Sequence, residues 1–357
     1  MGNIKIIKSE NSKINNVDWD NLRFGVFFSD HIYVSEFKNG KWDDGTIQPY
    51  GSMDLEPANC TLHYGQTIFE GLKAFTSVKG GVNIFRPDMN GKRMMGSAEA
   101  VCIPPYPVEN FIEAVKEVVI IDKNWIPKRR GESLYIRPFS FGTGNFLGVS
   151  ASDTYKFIVI LSPVASYYKE GLNPVKIIVE TEKVRAVRGG LGSAKTAANY
   201  AASMLAGQLA HKKGFSQVLW LDGVHRKFVD EVGAMNIMFV IDNELVTPSL
   251  EKGNILAGVT RNSVIHLANE FGMKVTERDI LIDEIVEAHE KGFLKEAFGT
   301  GTAAVISPVG MLQYNGKEMI INYMKIGKYA QKFYDTITGL QYGEIEDKYN
   351  WIFHLDI

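Results

Sequence analysis

Lys195 is the residue of this chain whose surroundings most clearly suggest chemistry. It lies in GGLGSAKTAANYAAS (189–203), which fits the phosphate-loop pattern G-x-x-x-x-G-K-[ST] except that Ala194 replaces the second glycine. A phosphate loop needs that glycine because its backbone approaches the phosphate closely, and it needs a strand directly before it. Here the strand-like run VKIIVE ends at Glu180, well before the glycines. The pattern therefore disfavours a nucleotide-hydrolase site.

Two interpretations of Lys195 remain. It is either an ordinary surface lysine in a turn, which is the usual place of lysine, or an amine that bonds covalently to a carbonyl. The second role requires partial desolvation, so that the neutral amine is within reach. Small residues surround the lysine and would let a bulky flat ring lie against the backbone: Gly192, Ser193, Ala194, Ala197 and Ala198. These residues alone leave both interpretations open.

Composition excludes several classes of function. Hydrophobic residues make up 45% and charged residues 22% of the 357 residues, as in globular proteins, and the length favours two domains. The net charge of -2 gives no electrostatic reason to expect nucleic acid or an anionic membrane as a partner. No apolar run approaches the roughly 20 residues that span a bilayer, and the N-terminus has no secretory pattern. Cys60 and Cys102 form neither a disulfide framework nor a metal-ligand pattern. We expect a cytoplasmic protein without a metal.

Apolar periodicity predicts a mixture of strands and helices, which is the pattern of an α/β or α+β protein. The predicted strands are 24–37, 81–87, 133–141, 155–164, 175–180, 217–222, 235–241 and 303–309. The predicted helices are 110–122, 196–214 and 260–272. Glycine and proline interrupt the apolar runs before residue 175, so we predict a linker at 168–174. It divides the chain into domains 1–167 and 175–357, with any site expected at their interface.

Seven motifs, in order along the chain, carry a family resemblance. They are LHYGQTIFEGLKAF (62–75), FRPDMNGKRM (85–94), YIRP (135–138), SAKTAANY (193–200), FVDEVGAMNIMF (228–239), LAGVTRNSV (256–264) and FGTGTAAVISPV (298–309). Together they resemble the branched-chain amino acid aminotransferases, a fold-type IV pyridoxal-phosphate family, from Phe24 nearly to the C-terminus. The resemblance implies a two-domain fold with the active site at the domain interface, a smaller N-terminal domain, a larger cofactor-binding C-terminal domain, and a homodimer.

The resemblance also implies which residues hold pyridoxal 5'-phosphate. Lys195 would bond to the aldehyde, Tyr200 to the phenolate oxygen, and Glu231 to the ring nitrogen. The phosphate would be held by Arg93, Val259, Thr260 and Thr302. Taken without the family, Gly258–Thr260 is the start of a helix, which suits an anion but is equally an ordinary helix cap. Apolar neighbours of Glu231 favour its burial, where a carboxylate needs a cationic partner.

The substrate residues are likewise implied by the resemblance. The α-carboxylate would meet Tyr135 and the backbone around Thr302 and Ala303, and Arg137 would receive the distal carboxylate of glutamate. Tyr64, Phe69 and Gly71 would line the side-chain pocket. The implied reaction transfers the amino group of L-leucine, L-isoleucine or L-valine to 2-oxoglutarate.

Two alternatives to this reaction stay open from the sequence. One is another fold-type IV enzyme such as a D-amino acid aminotransferase, and the other is a cofactor-carrying protein without turnover. The chain also departs from its animal-type relatives, because Ala234 replaces their threonine and Ala304 and Ser307 replace a cysteine pair.

Overall fold

A computed structural model describes residues 4–165 and 172–357 of the chain. Its strands, in chain order, are β1 Lys5–Ile6, β2 His31–Lys38, β3 Lys41–Trp42, β4 Thr46–Pro49, β5 Thr67–Phe69, β6 Leu72–Thr76, β7 Val82–Phe85, β8 Ser133–Gly142, β9 Tyr155–Val164, β10 Val175–Glu180, β11 Gln217–Leu221, β12 Val229–Val232, β13 Met235–Ile241, β14 Glu244–Thr247, β15 Lys274–Glu277, β16 Leu294–Gly301, β17 Val305–Tyr314, β18 Lys317–Ile320 and β19 Ile352–Leu355. Its helices are α1 Cys60–Tyr64, α2 Pro87–Ala100, α3 Val108–Ile121, α4 Ala197–Lys212, α5 Val259–Glu270, α6 Ile282–Glu290 and α7 Lys328–Gln341. The predicted mixed class is confirmed.

The first sheet is formed by the early strands and by the last strand of the chain. Its order is β1-β4-β2-β9-β8-β6-β7-β19, with β3 beside β2 and β5 beside β8. Helix α3 packs on β2 and β9, because its apolar residues recur at helical spacing and are buried on one face. Phe111 of α3 and Phe157 of β9 are both fully buried in this core. Strands β5, β6 and β8 are therefore held in place by their neighbours in this sheet.

The second sheet closes on itself. Its order is β12-β11-β10-β17-β16-β13-β14-β15, and β12 also pairs with β13, so that the strands from β12 round to β13 form a ring. Inward- and outward-pointing residues alternate along such strands. Ile177, Leu219, Ile237 and Phe239 are all fully buried in the core of this sheet. The ring fixes the ends of β12 and β16, where several of the predicted site residues lie.

The described residues group into two compact units. The first contains residues 4–165, 194–197 and 339–357, and the second contains 172–193 and 198–338. The C-terminal residues therefore join the first sheet, through the pairing of β19 with β7. The division into domains 1–167 and 175–357 stays a prediction, and most of the predicted linker 168–174 lies outside the described residues.

Two predicted strands differ most in extent from those observed. The strand predicted at 24–37 begins only at His31, because residues 24–27 form a turn from which Phe24 packs on Tyr135, with ring centroids 4.7 Å apart. The strand predicted at 303–309 begins at Val305, after the turn that holds Thr302 and Ala303. Among the helices described, none is long and apolar enough to cross a membrane.

Candidate active site

The backbone of Lys195 is fixed on both sides within the first unit. Its N–H donates to Ser97 Oγ at 2.9 Å, and its carbonyl accepts from the Phe69 N–H at 3.0 Å. The next residue, Thr196, donates its hydroxyl to the Thr67 carbonyl at 2.9 Å. These bonds join the lysine to α2 and to the edge of β5, so its position is set by the first sheet.

The amine of Lys195 has a perturbed ionisation. Its Nζ lies 4.6 Å from the centroid of the Phe69 ring. Burial and, next, the positive charge of Arg93 lower the pKa of the Lys195 amine to about 8, while the Glu70 carboxylate opposes this shift. Because only the neutral amine attacks a carbonyl, the lowered pKa makes Lys195 a usable nucleophile near neutral pH.

This pKa predicts a pH profile for chemical labelling of Lys195. In protein freed of any carbonyl ligand, we expect its reductive methylation by formaldehyde and cyanoborohydride to be half-maximal near pH 8. The neutral fraction of the amine rises with pH through its pKa, so labelling rises over the same range. Exposed lysines, whose ordinary pKa is about 10.4, serve as internal controls in the same peptide digest. A profile for Lys195 that follows those controls would contradict the assignment.

A buried carboxylate, which sequence reasoning missed, lies beside the lysine. Glu70 has no exposed surface, and it accepts from Arg93 Nε at 2.7 Å and from Arg93 Nη2 at 2.8 Å. Burial raises the pKa of the Glu70 carboxyl, but the charge and hydrogen bonds of Arg93 outweigh burial and hold the pKa below its usual range. Asn90, Arg93 and Ser97 recur at helical spacing, so α2 presents all three from one face. That spacing was the sequence signal for this cluster.

Four predicted substrate residues gather on β5, on β8 and in the link between β5 and β6: Phe69, Gly71, Tyr135 and Arg137. Arg137 donates from Nη2 to Tyr135 Oη at 3.0 Å, and its guanidinium lies 4.7 Å from the centroid of the Phe69 ring. At Gly71, an added Cβ would come within 2.1 Å of Tyr135 Oη, so this position requires glycine. In the part of the chain described, the buried Nε of Arg137 has no hydrogen-bond partner. The cluster combines an aromatic wall, a phenol and a cation.

Tyr64 is placed differently from the other predicted pocket residues. It is the last residue of α1 and its exposed fraction is 41%. Its hydroxyl donates to the backbone carbonyl of Leu147, on an exposed loop, rather than to Tyr135 or Arg137. Its predicted role in the side-chain pocket stays a prediction.

In the second unit, Glu231 is buried among donors. It lies on β12 with 4% exposure and accepts from Asn236 Nδ2 at 3.0 Å and from the Leu256 N–H at 3.1 Å. Its other oxygen lies 2.9 Å from Nε of the buried Arg185. A buried carboxylate with these partners is retained in its charged form. Sequence reasoning anticipated its burial but not Arg185 or Asn236.

The start of α5 offers backbone donors. Its N-cap, Gly258, has no side chain to accept from the first N–H groups, and an added Cβ there would come within 2.0 Å of Asn236 Oδ1. Val259 and Thr260, the first two residues of the helix, are both buried. Free N–H groups and the helix dipole make such a start suitable for an oxyanion.

Two glycines at the end of β16, just before the turn to β17, lie against Met235. An added Cβ at Gly299 would lie 2.9 Å from the Met235 side chain, and one at Gly301 would lie 3.1 Å from it. Thr302 and Ala303 follow in the turn and are half-buried. The Met235 side chain therefore packs closely against the end of β16.

Tyr200 and the glycine-rich segment complete the predicted residues. Tyr200 lies in the first turns of α4 and is half-buried. Gly192 is needed for packing, since a Cβ added at this position would come within 2.2 Å of the Asn254 carbonyl oxygen. The strand β10 ends at Glu180 and α4 begins at Ala197, so the strand–loop–helix spacing of a phosphate loop is not met.

Comparisons with known proteins relate this chain to a family of enzymes. The family model described as amino-transferase class IV matches residues 67–311. Branched-chain-amino-acid aminotransferase 2 of Bacillus subtilis (strain 168) is 54% identical over 335 residues, which are 94% of this chain and 92% of that protein.

Two solved structures are similar over most of the chain. The crystal structure of the Escherichia coli branched-chain amino acid aminotransferase superposes with a TM-score of 0.74 at 26% identity, covering 90% of this chain and 98% of that one. The T.th. branched-chain amino acid aminotransferase in complex with N-(5'-phosphopyridoxyl)-L-glutamate has the same TM-score of 0.74 and identity of 26%, and covers 91% and 98%. The folds are therefore shared along nearly the whole length.

Proposed function

Because this chain belongs to the class IV aminotransferases and, within them, to the branched-chain-amino-acid aminotransferases, we propose that Lys195 is the catalytic residue of its transamination reaction. The enzyme depends on pyridoxal 5'-phosphate and transfers the amino group of L-leucine, L-isoleucine or L-valine to 2-oxoglutarate. The similarities give no support to the alternative of a D-amino acid aminotransferase. The observation that carries the proposal is the Lys195 amine, whose pKa is lowered to about 8 beside the Glu70–Arg93 pair.

The donor chemistry of the proposed residues fits the cofactor. When bound, pyridoxal phosphate supplies an aldehyde and a protonated ring that withdraws electrons from the substrate α-carbon. Lys195 would supply the amine for that aldehyde, and Arg93 a cation for the phosphate. Glu231 would offer a buried carboxylate for the ring nitrogen, and Tyr200 a hydroxyl for the phenolate oxygen. The remaining phosphate donors are Val259, Thr260 and Thr302.

The proton transfers are assigned to Lys195 Nζ. In its neutral form this nitrogen takes the α-proton of the substrate, and in its charged form it gives the proton back at the cofactor. A pKa of about 8 suits both tasks, because each form is populated near neutral pH. The backbone bonds of Lys195 to Ser97 and Phe69 hold the chain on either side of the amine while it exchanges its proton.

Substrate binding is assigned to the cluster of Phe69, Gly71, Tyr135 and Arg137 and to the turn after β16. Tyr135, with the backbone of Thr302 and Ala303, binds the α-carboxylate. Arg137 binds the distal carboxylate of glutamate, which is consistent with its buried Nε having no hydrogen-bond partner in the described structure. The leucine, isoleucine or valine side chain lies against the remaining pocket residues, which are Tyr64, Phe69 and Gly71.

The family relationship also supports two properties of the whole protein. We propose that it is a homodimer and that it acts in the cytoplasm. The proposed reaction involves small-molecule substrates and needs neither a nucleic acid nor a membrane as a partner.

The experiment that tests the proposed function compares two amino donors. With 2-oxoglutarate as acceptor, we expect kcat/KM for L-leucine to exceed that for D-alanine by at least about 100-fold, since a pocket built for one configuration misplaces the α-hydrogen of the other. Glutamate formation is measured with a coupled dehydrogenase. Equal use of both donors, or preference for D-alanine, would contradict the proposed substrate class.

A further inference from the structure

Glu70 lies between two proposed pocket residues, Phe69 and Gly71, and has no role of its own in the proposed function. Phe69 lies beneath the Lys195 amine, and Gly71 leaves room for the Tyr135 hydroxyl. Glu70 contacts Arg93 and Asn90 of α2 and lies beside the Lys195 amine. It points into the protein, where none of its surface is exposed.

The Glu70 carboxylate accepts hydrogen bonds from Arg93, from Asn90 and from the backbone of Gly71. Arg93 donates from Nε to Oε1 at 2.7 Å and from Nη2 to Oε2 at 2.8 Å. Oε2 also accepts from Asn90 Nδ2 at 2.7 Å and from the Gly71 N–H at 3.2 Å. Asn90 donates in addition to the Gly71 carbonyl at 3.3 Å, which ties the carboxylate to its own backbone. The bonds from Asn90 and Gly71 therefore orient the Glu70 carboxylate independently of Arg93.

The Glu70–Arg93 ion pair is bidentate, so it sets the plane of the guanidinium as well as its distance from the carboxylate. Two parallel N–H···O bonds hold a guanidinium in one orientation. Without such a partner, an arginine side chain on a helix samples many rotamers. An anion that binds only one of these rotamers loses affinity, because the other rotamers are given up on binding and this costs entropy. Arg93 is only 11% exposed in its side chain, so the pair is also shielded from solvent.

We propose that Glu70 is a positioning residue, which orients the guanidinium of Arg93 for an oxyanion and so gives the site its preference for a phosphorylated cofactor. Glu70 itself does not touch the cofactor and acts through Arg93. The inference rests on the proposed role of Arg93 in binding the phosphate. It extends that role by naming the residue that makes the arginine effective.

The test measures cofactor binding by the cofactor-free enzyme, with pyridoxal phosphate and pyridoxal as probes. In Glu70→Gln, which keeps the shape but removes the charge, we expect the Kd for pyridoxal phosphate to rise at least about tenfold. The Kd for pyridoxal, which has no phosphate, should change less than about threefold. Glu113→Gln, which breaks a surface pair with Lys116, is the matched control and should change neither constant.

A double-mutant cycle shows whether Glu70 acts through Arg93. In an Arg93→Met background, the added Glu70→Gln change should leave the ratio of the two Kd values as it is in Arg93→Met alone. If Glu70→Gln does not fold, Asn90→Ser is the substitute, since it loosens Glu70 and should reduce the preference for pyridoxal phosphate in the same direction.

Several results would overturn the role of Glu70. These are an equal weakening of both probes, tighter binding of pyridoxal phosphate, or a further loss of preference in the Arg93→Met background. Failure of the proposed function has a different signature: a wild-type enzyme without preference for pyridoxal phosphate over pyridoxal. A wild-type preference that persists in Glu70→Gln would refute the inference about Glu70 alone.

Discussion

Lys195→Ala is expected to lower kcat for the transfer from L-leucine to 2-oxoglutarate by about 10⁴-fold or more, because the proton acceptor and the covalent amine are lost together. The variant should keep its fold, since the backbone bonds of residue 195 to Ser97 and Phe69 do not involve the side chain. It should still bind pyridoxal phosphate without a covalent bond. The measurement is the steady-state rate together with a spectral titration of the cofactor.

The matched control for Lys195 is Lys73. It lies on β6 in the same unit, and burial lowers the pKa of its amine to about 8 as well. If desolvation alone made a lysine catalytic, Lys73→Met would be as harmful as Lys195→Ala. We expect its kcat to stay within about tenfold of the wild-type value. Detectable turnover by Lys195→Ala without an added amine would refute the assignment.

Glu231→Gln is expected to lower kcat by about 10²- to 10³-fold, which is the range for losing one preorganised electrostatic partner. An amide cannot offset the positive charge of the ring nitrogen, so the cofactor withdraws electrons less well. The amide would still accept a bond from Asn236 or Leu256, and the change therefore removes charge more than shape. The measurement is kcat with L-leucine at saturating cofactor.

Asp230 provides the control for Glu231. It is the neighbouring carboxyl on β12, accepts from Asn254 Nδ2 at 2.9 Å, and has its pKa raised to about 7 by burial. Its neutral form is already well populated at pH 7, so Asp230→Asn should change kcat by less than about fivefold at that pH. Equal losses in Glu231→Gln and Asp230→Asn would mean that disturbed packing of β12, and not the charge of Glu231, is responsible.

The absence of a phosphate loop around Lys195 could be predicted from sequence because its signals are local. The distant strand and the alanine in the glycine position argue against a phosphate loop, and the small neighbours leave room for a flat ring. The helices that follow the periodicity, α3 and α5, were likewise predicted within a few residues. In these segments the pattern and the observed structure depend on the same neighbours along the chain.

The partners of the charged residues could not be predicted in this way. Glu70 meets Arg93 because β5 and α2 pack together, and Arg185 reaches Glu231 from a loop far away in sequence. Phe24 was taken for part of a strand because alternation continues through residues 24–37, whereas a turn carries its ring to Tyr135. Each of these contacts depends on tertiary packing, which leaves no trace in local spacing.

The central claim is that Lys195 bonds covalently to the cofactor, and hydride trapping tests it most directly. The purified enzyme is incubated with pyridoxal phosphate, reduced with borohydride, digested and mapped by mass spectrometry. We expect one peptide, containing Lys195, to carry the reduced phosphopyridoxyl group, and Lys195→Ala to carry none. A label on Lys73 or on another lysine, or an enzyme that takes up no label, would contradict the account.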